Sequence, residues 1–180
     1  KSFITSNFCS MVKNKYKVSG YHIGMKNRTS GGMESVFVYG DERTQSTGAT
    51  TLNAIIGGLK NVRHHANEGT KMMIVLDEPT IGLSLGYEKA MGKYIAQIFD
   101  ELKEMENFAG IMIVSHSKIM FKEMEKEGVE LSVLSTGEPL TLNEWYEKSE
   151  ENSIEELLEL KEKGFNLWKE ITKYIDNMPK

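Results

Sequence analysis

Apolar residues fall into two alternating rhythms along this chain. Short runs rich in strand-forming residues stand at Tyr21–Met25, Ser35–Tyr39, Met72–Leu76, Ile111–Val114 and Leu131–Leu134. Between them, Ala49, Leu52, Ile55, Ile56, Leu59 and Val62 recur at spacings of three and four, with one spacing of one. Met91, Tyr94, Ile95, Ile98, Phe99, Leu102 and Met105 behave in the same way. Each set predicts one apolar helix face. Strands alternating with helices predict an α/β layer fold with a mostly parallel sheet and helices on both faces. Met72–Leu76 shows no polar alternation, as expected of a strand covered on both sides. From Ser153 to Met178, the apolar set Ile154, Leu157, Leu158, Phe165, Trp168, Ile171, Ile175 and Met178 predicts one or two helices, with Gly164 as the interruption. This C-terminal helical tail has two readings, a helix packed on the chain's own core or a dimerisation or docking helix. The expected organisation is a main domain over 1–150 and a helical appendage over 151–180.

Composition narrows the class. The 180 residues, 39% hydrophobic and 27% charged, suit one globular domain with a short appendage and exclude collagen-like or disordered chains. No apolar run approaches the ~18 residues that a membrane helix needs, and no signal-peptide pattern opens the chain. Cys9 alone makes neither an intramolecular disulfide nor a zinc site. The expectation is a cytoplasmic protein without membrane insertion. The net charge of −4 is unevenly spread. Residues 1–78 hold ten Lys/Arg against six Asp/Glu, a net of +4, and residues 79–180 hold twelve against twenty, a net of −8. The first half can therefore tolerate an anion, and the second reads as a solvated or partner-facing surface.

The most informative stretch runs from Met72 to Ser84. An apolar strand ends in two adjacent carboxylates, Asp77 and Glu78, and Pro79 then stops it. Ligands of open α/β sheets bind outside the carboxyl ends of the strands. Successive strand residues point to opposite faces, so the two carboxylates need not share a task. One can hold Mg²⁺ through water, and the other can take a proton from an attacking water. An acidic turn after a strand is the plainer reading of the same pair. A second apolar strand, Ile111–Val114, ends in Ser115 and His116. A neutral imidazole there can contact a phosphate and orient water; a surface or capping histidine is the alternative. His64 and His65 sit near a helix end, where cations favour the helix dipole, and read as structural. Gln45-Ser46-Thr47-Gly48-Ala49 precedes the Ala49–Val62 helix, where free N–H groups can cradle a phosphate or Ser46 can serve as an ordinary N-cap.

Taken together, these segments resemble the ATP-binding-cassette (ABC) class of P-loop ATPases. Asp77-Glu78-Pro79-Thr80-Ile81-Gly82-Leu83-Ser84 resembles the Walker B motif and D-loop of that class, which commonly read Asp-Glu-Pro-Thr-x-Gly-Leu-Asp/Ser after four apolar residues. Ile111–His116 resembles the switch-histidine strand. Ser46 and Gly48 stand where the signature, Leu-Ser-Gly-Gly-Gln in transporters, would lie. The resemblance implies that Asp77 holds Mg²⁺ through water, that Glu78 is the general base, and that His116 senses the γ-phosphate. It further implies that Ser46 and Gly48 face the ATP of a partner subunit, and that Ser84 lies in the segment crossing a dimer interface.

The sequence contains no G-x-x-x-x-G-K-[ST] loop to cradle phosphates. It opens instead with Lys1-Ser2 and a helix-compatible stretch to Val12. Read as the end of such a loop, Lys1 would reach the β/γ-phosphates and Ser2 would ligand Mg²⁺. Ser46 then lies 45 residues beyond Lys1 and Asp77 lies 76 beyond. That compact layout is similar to the MutS mismatch-repair ATPases, while Asp77–Ser84 is in the ABC and SMC style. The similarity covers about residues 1–116.

The resulting expectation is a Mg²⁺-dependent ATPase acting as an ATP-driven homodimer, or with another ATPase subunit through the nucleotide site. The resemblance to MutS and SMC ATPases implies a DNA-associated role in repair, recombination or defence, although the overall negative charge argues against extensive direct nucleic-acid contact. Lys13, Lys15, Lys17, Lys26 and Arg28 form a modest basic cluster, which also reads as a solvated face. The alternatives are a non-transport ATP switch or assembly protein with slow hydrolysis and, less in keeping with the short spacing before Ser46, a transporter ATPase subunit.

Overall fold

Residues 2–24, 44–134, 138–148 and 153–176 are described by a computed structural model of the chain. Three strands form one sheet in the order β1 (Ser19–Ile23), β2 (Met72–Asp77), β3 (Phe108–Val114), and both pairings are parallel. The α/β class and the parallel sheet expected from the alternation are therefore present. The strand run expected at Tyr21–Met25 starts at Ser19 and ends at Ile23. The run at Ser35–Tyr39 lies outside the described residues. Leu131–Leu134, expected as a strand, is not one. It has no strand partner among the described residues, and Leu134 is 68% exposed, so its backbone has no ladder to join.

α1 (Ser2–Tyr16) precedes β1; α2 (Thr47–Asn67) and α3 (Leu85–Lys103) return the chain between the parallel strands, as parallel pairing requires, and α4 (Lys118–Lys126) follows β3. The pleat shows which helix covers which face. A Cβ at Gly20 would meet the Cys9 sulfur of α1 at 2.6 Å, whereas a Cβ at Gly58 of α2 would meet Ile23 at 2.2 Å and Tyr21 at 3.1 Å. Gly20 has the opposite parity to Tyr21 and Ile23, so α1 and α2 pack on opposite faces of β1.

The larger core lies on the α2 side. Ile55, Leu59 and Val62 of α2, Met91, Ile95, Ile98 and Leu102 of α3, and Met120 of α4 meet Ile74 and Leu76 of β2. Val75, of opposite parity, is fully buried too, which explains the unbroken apolar run of β2. Truncating Ile74, 0% exposed on the central strand, to Ala would cost about 2–5 kcal/mol. At Gly92 of α3 a side chain would strike the Met120 carbonyl at 2.4 Å, so α4 packs on α3 at backbone distance.

The chain divides into two compact units, Lys1–Leu131 and Ser132–Lys180. The second holds α5 (Leu142–Glu147) and α6 (Ile154–Asp176). Both begin with reciprocal caps. Thr141 and Glu144 form a capping box, and the Ser153 hydroxyl accepts from Glu156 N while Glu156 accepts from Ser153 N. The interruption expected at Gly164 does not occur, because α6 is continuous over its 23 residues. A single glycine lowers helix stability by about 1 kcal/mol, too little to break a helix of that length.

Candidate functional site

Parallel connection of β1, β2 and β3 brings their carboxyl ends to one edge of the sheet. Each connecting helix runs antiparallel to its strands, so its N-terminus lies at that same edge. Thr5, in the second turn of α1, reaches His22 near the end of β1 (Oγ1 to Nε2, 3.3 Å). Thr51, in the second turn of α2, donates to the carbonyl of Ile81 just beyond β2 (3.3 Å). The start of α1 thus lies beside the end of β1, and the start of α2 beside the loop that follows β2. The first turn of α1 carries no acidic residue, which leaves its positive dipole end available to an anion.

Asp77 is the last residue of β2 and is 8% exposed. By parity with Val75 it faces the α1 side, where His22 Nε2 lies 3.6 Å from its Oδ2. Glu78 leaves the strand with φ of +54°. Its N–H still bonds to the Val114 carbonyl at 2.8 Å, while Pro79 has no N–H with which to extend the ladder. A non-glycine residue in this left-handed region costs about 1–3 kcal/mol and persists only where its surroundings hold it.

His116 follows β3. Its Nε2 lies 3.5 Å from Glu78 Oε1, so the last turn of β2 and the exit of β3 meet through these two side chains. The neighbours of His116 are tied down on both sides. The Thr80 and Ser115 hydroxyls are 3.4 Å apart, and Ser115 Oγ accepts from Ser117 N at 3.1 Å. Ser117 caps α4, accepting from Met120 N, and its hydroxyl donates to Glu88 of α3. His116 itself is 78% exposed, against 23% for Glu78. The pair is therefore anchored at the backbone and open at its tips, where a ligand can reach it.

The other expected residues form a separate group. Ser46 is the N-cap of α2 and accepts from Ala49 N at 3.3 Å, as an ordinary cap does. Gly48 has a packing role, since a Cβ there would lie 2.8 Å from the Gly82 carbonyl and 2.6 Å from the Leu83 side chain. Ser84 is the N-cap of α3 and makes no side-chain capping bond. Ser46, Gly48 and Ser84 line one groove of about 680 Å³ with Leu52, Tyr87 and Tyr94. Asp77 and Glu78 line a different, water-sized cleft of about 10 Å³ with Ile23, Gly24 and Thr51. The structure therefore joins Asp77, Glu78 and His116 in one place and Ser46, Gly48 and Ser84 in another.

Ser2 is the first residue of α1, and Lys1 lies outside the described residues, as do Lys26, Arg28 and Gly40–Arg43. Lys13 and Lys15 occupy the last turn of α1, at the end of that helix away from Asp77. His64 and His65 end α2, with Glu68 at 3.5 and 3.3 Å, in keeping with a structural role. Sequence reasoning passed over Thr5 and His22. A usable signal was present: His22 stands one residue before the end of a strand, as Ser115 and His116 stand just after one.

Among the described residues no group of three or more His, Cys, Asp or Glu side chains could cage an ion. Mg²⁺ does not require such a cage, because it retains several waters and is held by one or two carboxylates together with substrate phosphates. A single buried Asp77 beside a helix N-terminus fits that mode and does not fit a resident structural metal. Among the described residues no helix is long and apolar enough to cross a membrane. Comparison with protein-family models, with curated proteins and with solved structures finds no match to this chain.

Proposed function

We propose that this chain is a Mg²⁺-dependent ATPase of ABC-like type with a P-loop NTPase fold. The observation that carries the reading is the Glu78–His116 pair, 3.5 Å apart, beside the buried Asp77 at the carboxyl edge of a parallel sheet. Bound with a triphosphate, Mg²⁺ would offset the charge that develops on the phosphate oxygens. Asp77 would hold the ion through its water shell. Glu78 would take a proton from the water attacking the terminal phosphate, with ADP as the leaving group, and His116, beside that carboxylate, would contact the phosphate. In this reading Lys1 would reach the β/γ-phosphates and Ser2 would ligand Mg²⁺. The N-terminus of α1 supplies positive potential without any step of bond making.

The separation of the two groups supports a dimer. Ser46, Gly48 and Ser84 line a groove distinct from the Asp77–Glu78 cleft, so one subunit's groove is suited to closing another subunit's nucleotide. The partner is accordingly a second copy or a related ATPase subunit. DNA association is the proposed setting, resting on the compact layout and on the exposed Lys13, Lys15 and Lys17.

The test is phosphate release from ATP by the full chain, with and without Mg²⁺, together with the sedimentation of Glu78→Gln in ATP. Mg²⁺-dependent turnover and an ATP-trapped Glu78→Gln dimer are expected. Wild-type turnover by Glu78→Gln would remove the base assignment. Mg²⁺-dependent nucleotide binding and dimerisation without turnover would favour a slow ATP switch. Duplex DNA binding that weakens steeply with salt is expected, and its absence would remove the DNA setting.

A further inference from the structure

The carboxylate of Asp77 does not stand alone on its face of the sheet. His22, on the adjacent strand, places Nε2 3.6 Å from Asp77 Oδ2 and 3.3 Å from the hydroxyl of Thr5. Thr5 is 0% exposed and His22 18%. The three residues come from three elements, α1, β1 and β2, which meet only in the folded chain. Register accounts for the contact. Ile23 is paired with Leu76 and His22 with Val75, so His22 shares the parity of Asp77 and lies diagonally beside it on the α1 face.

Gly24 tightens the same arrangement. A Cβ on it would lie 2.9 Å from Asp77 Cβ and 3.4 Å from His22 Cε1 and Nε2. The backbone leaving β1 therefore passes over both side chains with no room for a methyl group. His22 is confined between α1 below and this strand exit above. With its proton on Nε2, the ring directs one N–H between two oxygen acceptors, the Thr5 hydroxyl and the Asp77 carboxylate.

We propose that His22 is a positioning residue for Asp77. Seated on Thr5, it restricts the carboxylate to a rotamer in which one oxygen faces the ring. Groups that orient metal-binding carboxylates usually matter about 10–100-fold in metal affinity or activity. A histidine packed merely to fill space would show no such link. The proposal rests on the reading of Asp77 as the Mg²⁺ carboxylate.

The experiment measures binding of a non-hydrolysable ATP analogue to the full chain by calorimetry, with Mg²⁺ and with EDTA. It compares the parent with His22→Leu, His22→Gln and Thr5→Val. The parent should bind more tightly with Mg²⁺. His22→Leu should lose about 10-fold or more of that enhancement while its binding in EDTA stays unchanged. His22→Gln, whose amide N–H can replace the Nε2 proton, should recover most of it, and Thr5→Val should lose part. If the parent binds the analogue equally with and without Mg²⁺, the ATPase reading fails and the positioning role falls with it. If the parent shows the enhancement and folded His22→Leu keeps it, the positioning role alone is overturned. Should His22→Leu fail to fold, His22→Gln and Thr5→Val decide: parental enhancement in Thr5→Val, or none in a folded His22→Gln, overturns it.

Discussion

Glu78 and His116 meet across two strand exits, with Oε1 and Nε2 3.5 Å apart. Their positions 38 residues apart in the chain become adjacent because β2 and β3 pair in parallel with Asp77 opposite Val114. If the chain is the ATPase proposed above, replacing His116 by Ala should slow ATP turnover by about 10²-fold or more, in the range of a positioned acid–base group, and leave nucleotide affinity within a few-fold. Single-turnover kinetics beside equilibrium binding checks this. An unchanged rate would return His116 to a surface role.

Glu78 is held at φ +54°, a conformation that glycine adopts without penalty. Glu78→Gly should therefore raise stability by about 1 kcal/mol while abolishing turnover. Urea unfolding of both proteins measures the first effect and phosphate release the second. A less stable Glu78→Gly would show that side-chain contacts outweigh the backbone strain.

Gly82 sits at φ +75°, and a Cβ there would meet Thr47 Cβ at 2.7 Å and Gly48 N at 2.9 Å. Neither obstacle is the far end of a flexible side chain. Gly82→Ala should destabilise by about 1–3 kcal/mol and widen the contact between the start of α2 and the loop after β2. Thermal unfolding gives the stability change. ATP-dependent dimerisation should weaken in parallel, because Ser46 and Ser84 flank this contact.

Glu123, 8% exposed, accepts from Lys126 Nζ at 2.6 Å. That hydrogen bond holds its carboxyl below the usual carboxylate range. A lowered folded-state value stabilises the fold above the unfolded-state value, near pH 4.3, and the benefit is lost as pH falls through the folded-state value. Lys126→Met should therefore lower Tm at neutral pH, with the gap to the parent closing as pH falls below about 4. A gap independent of pH would assign the effect to packing of the lysine stem.

The free thiol offers a local probe of the α1 face. Burial pushes the Cys9 thiol above its ordinary value, and Gly20 of β1 packs against it. Alkylation at neutral pH should be slow in the folded chain and fast in denaturant. Rapid alkylation without denaturant would mean that α1 opens from the sheet.

Local pattern carried much of the architecture. Residues recurring at helical spacing, Ile55, Leu59 and Val62 in α2 and Ile95, Ile98 and Leu102 in α3, are buried as their spacing predicts, because one apolar face must turn inward whatever it meets. Met72–Leu76 and Ile111–Val114 lie in strands for the same local reason. The placing of Asp77, Glu78 and His116 at one edge was legible because the strand ends of a parallel sheet share it. Leu131–Leu134 has the composition of a strand, but only a neighbouring strand makes one, and a lone Gly164 does not break a helix as long as α6. Three relationships belonged to the tertiary structure alone: the seat of His22 between Thr5 and Asp77, the contact of Gly48 with Gly82, and the separation of Ser46 and Ser84 from the carboxylate cleft. Each depends on which elements become neighbours and in what register, and a shift of one residue would turn His22 to the opposite face. Sequence periodicity determines which face of an element is buried; pairing and packing determine which side chains meet there.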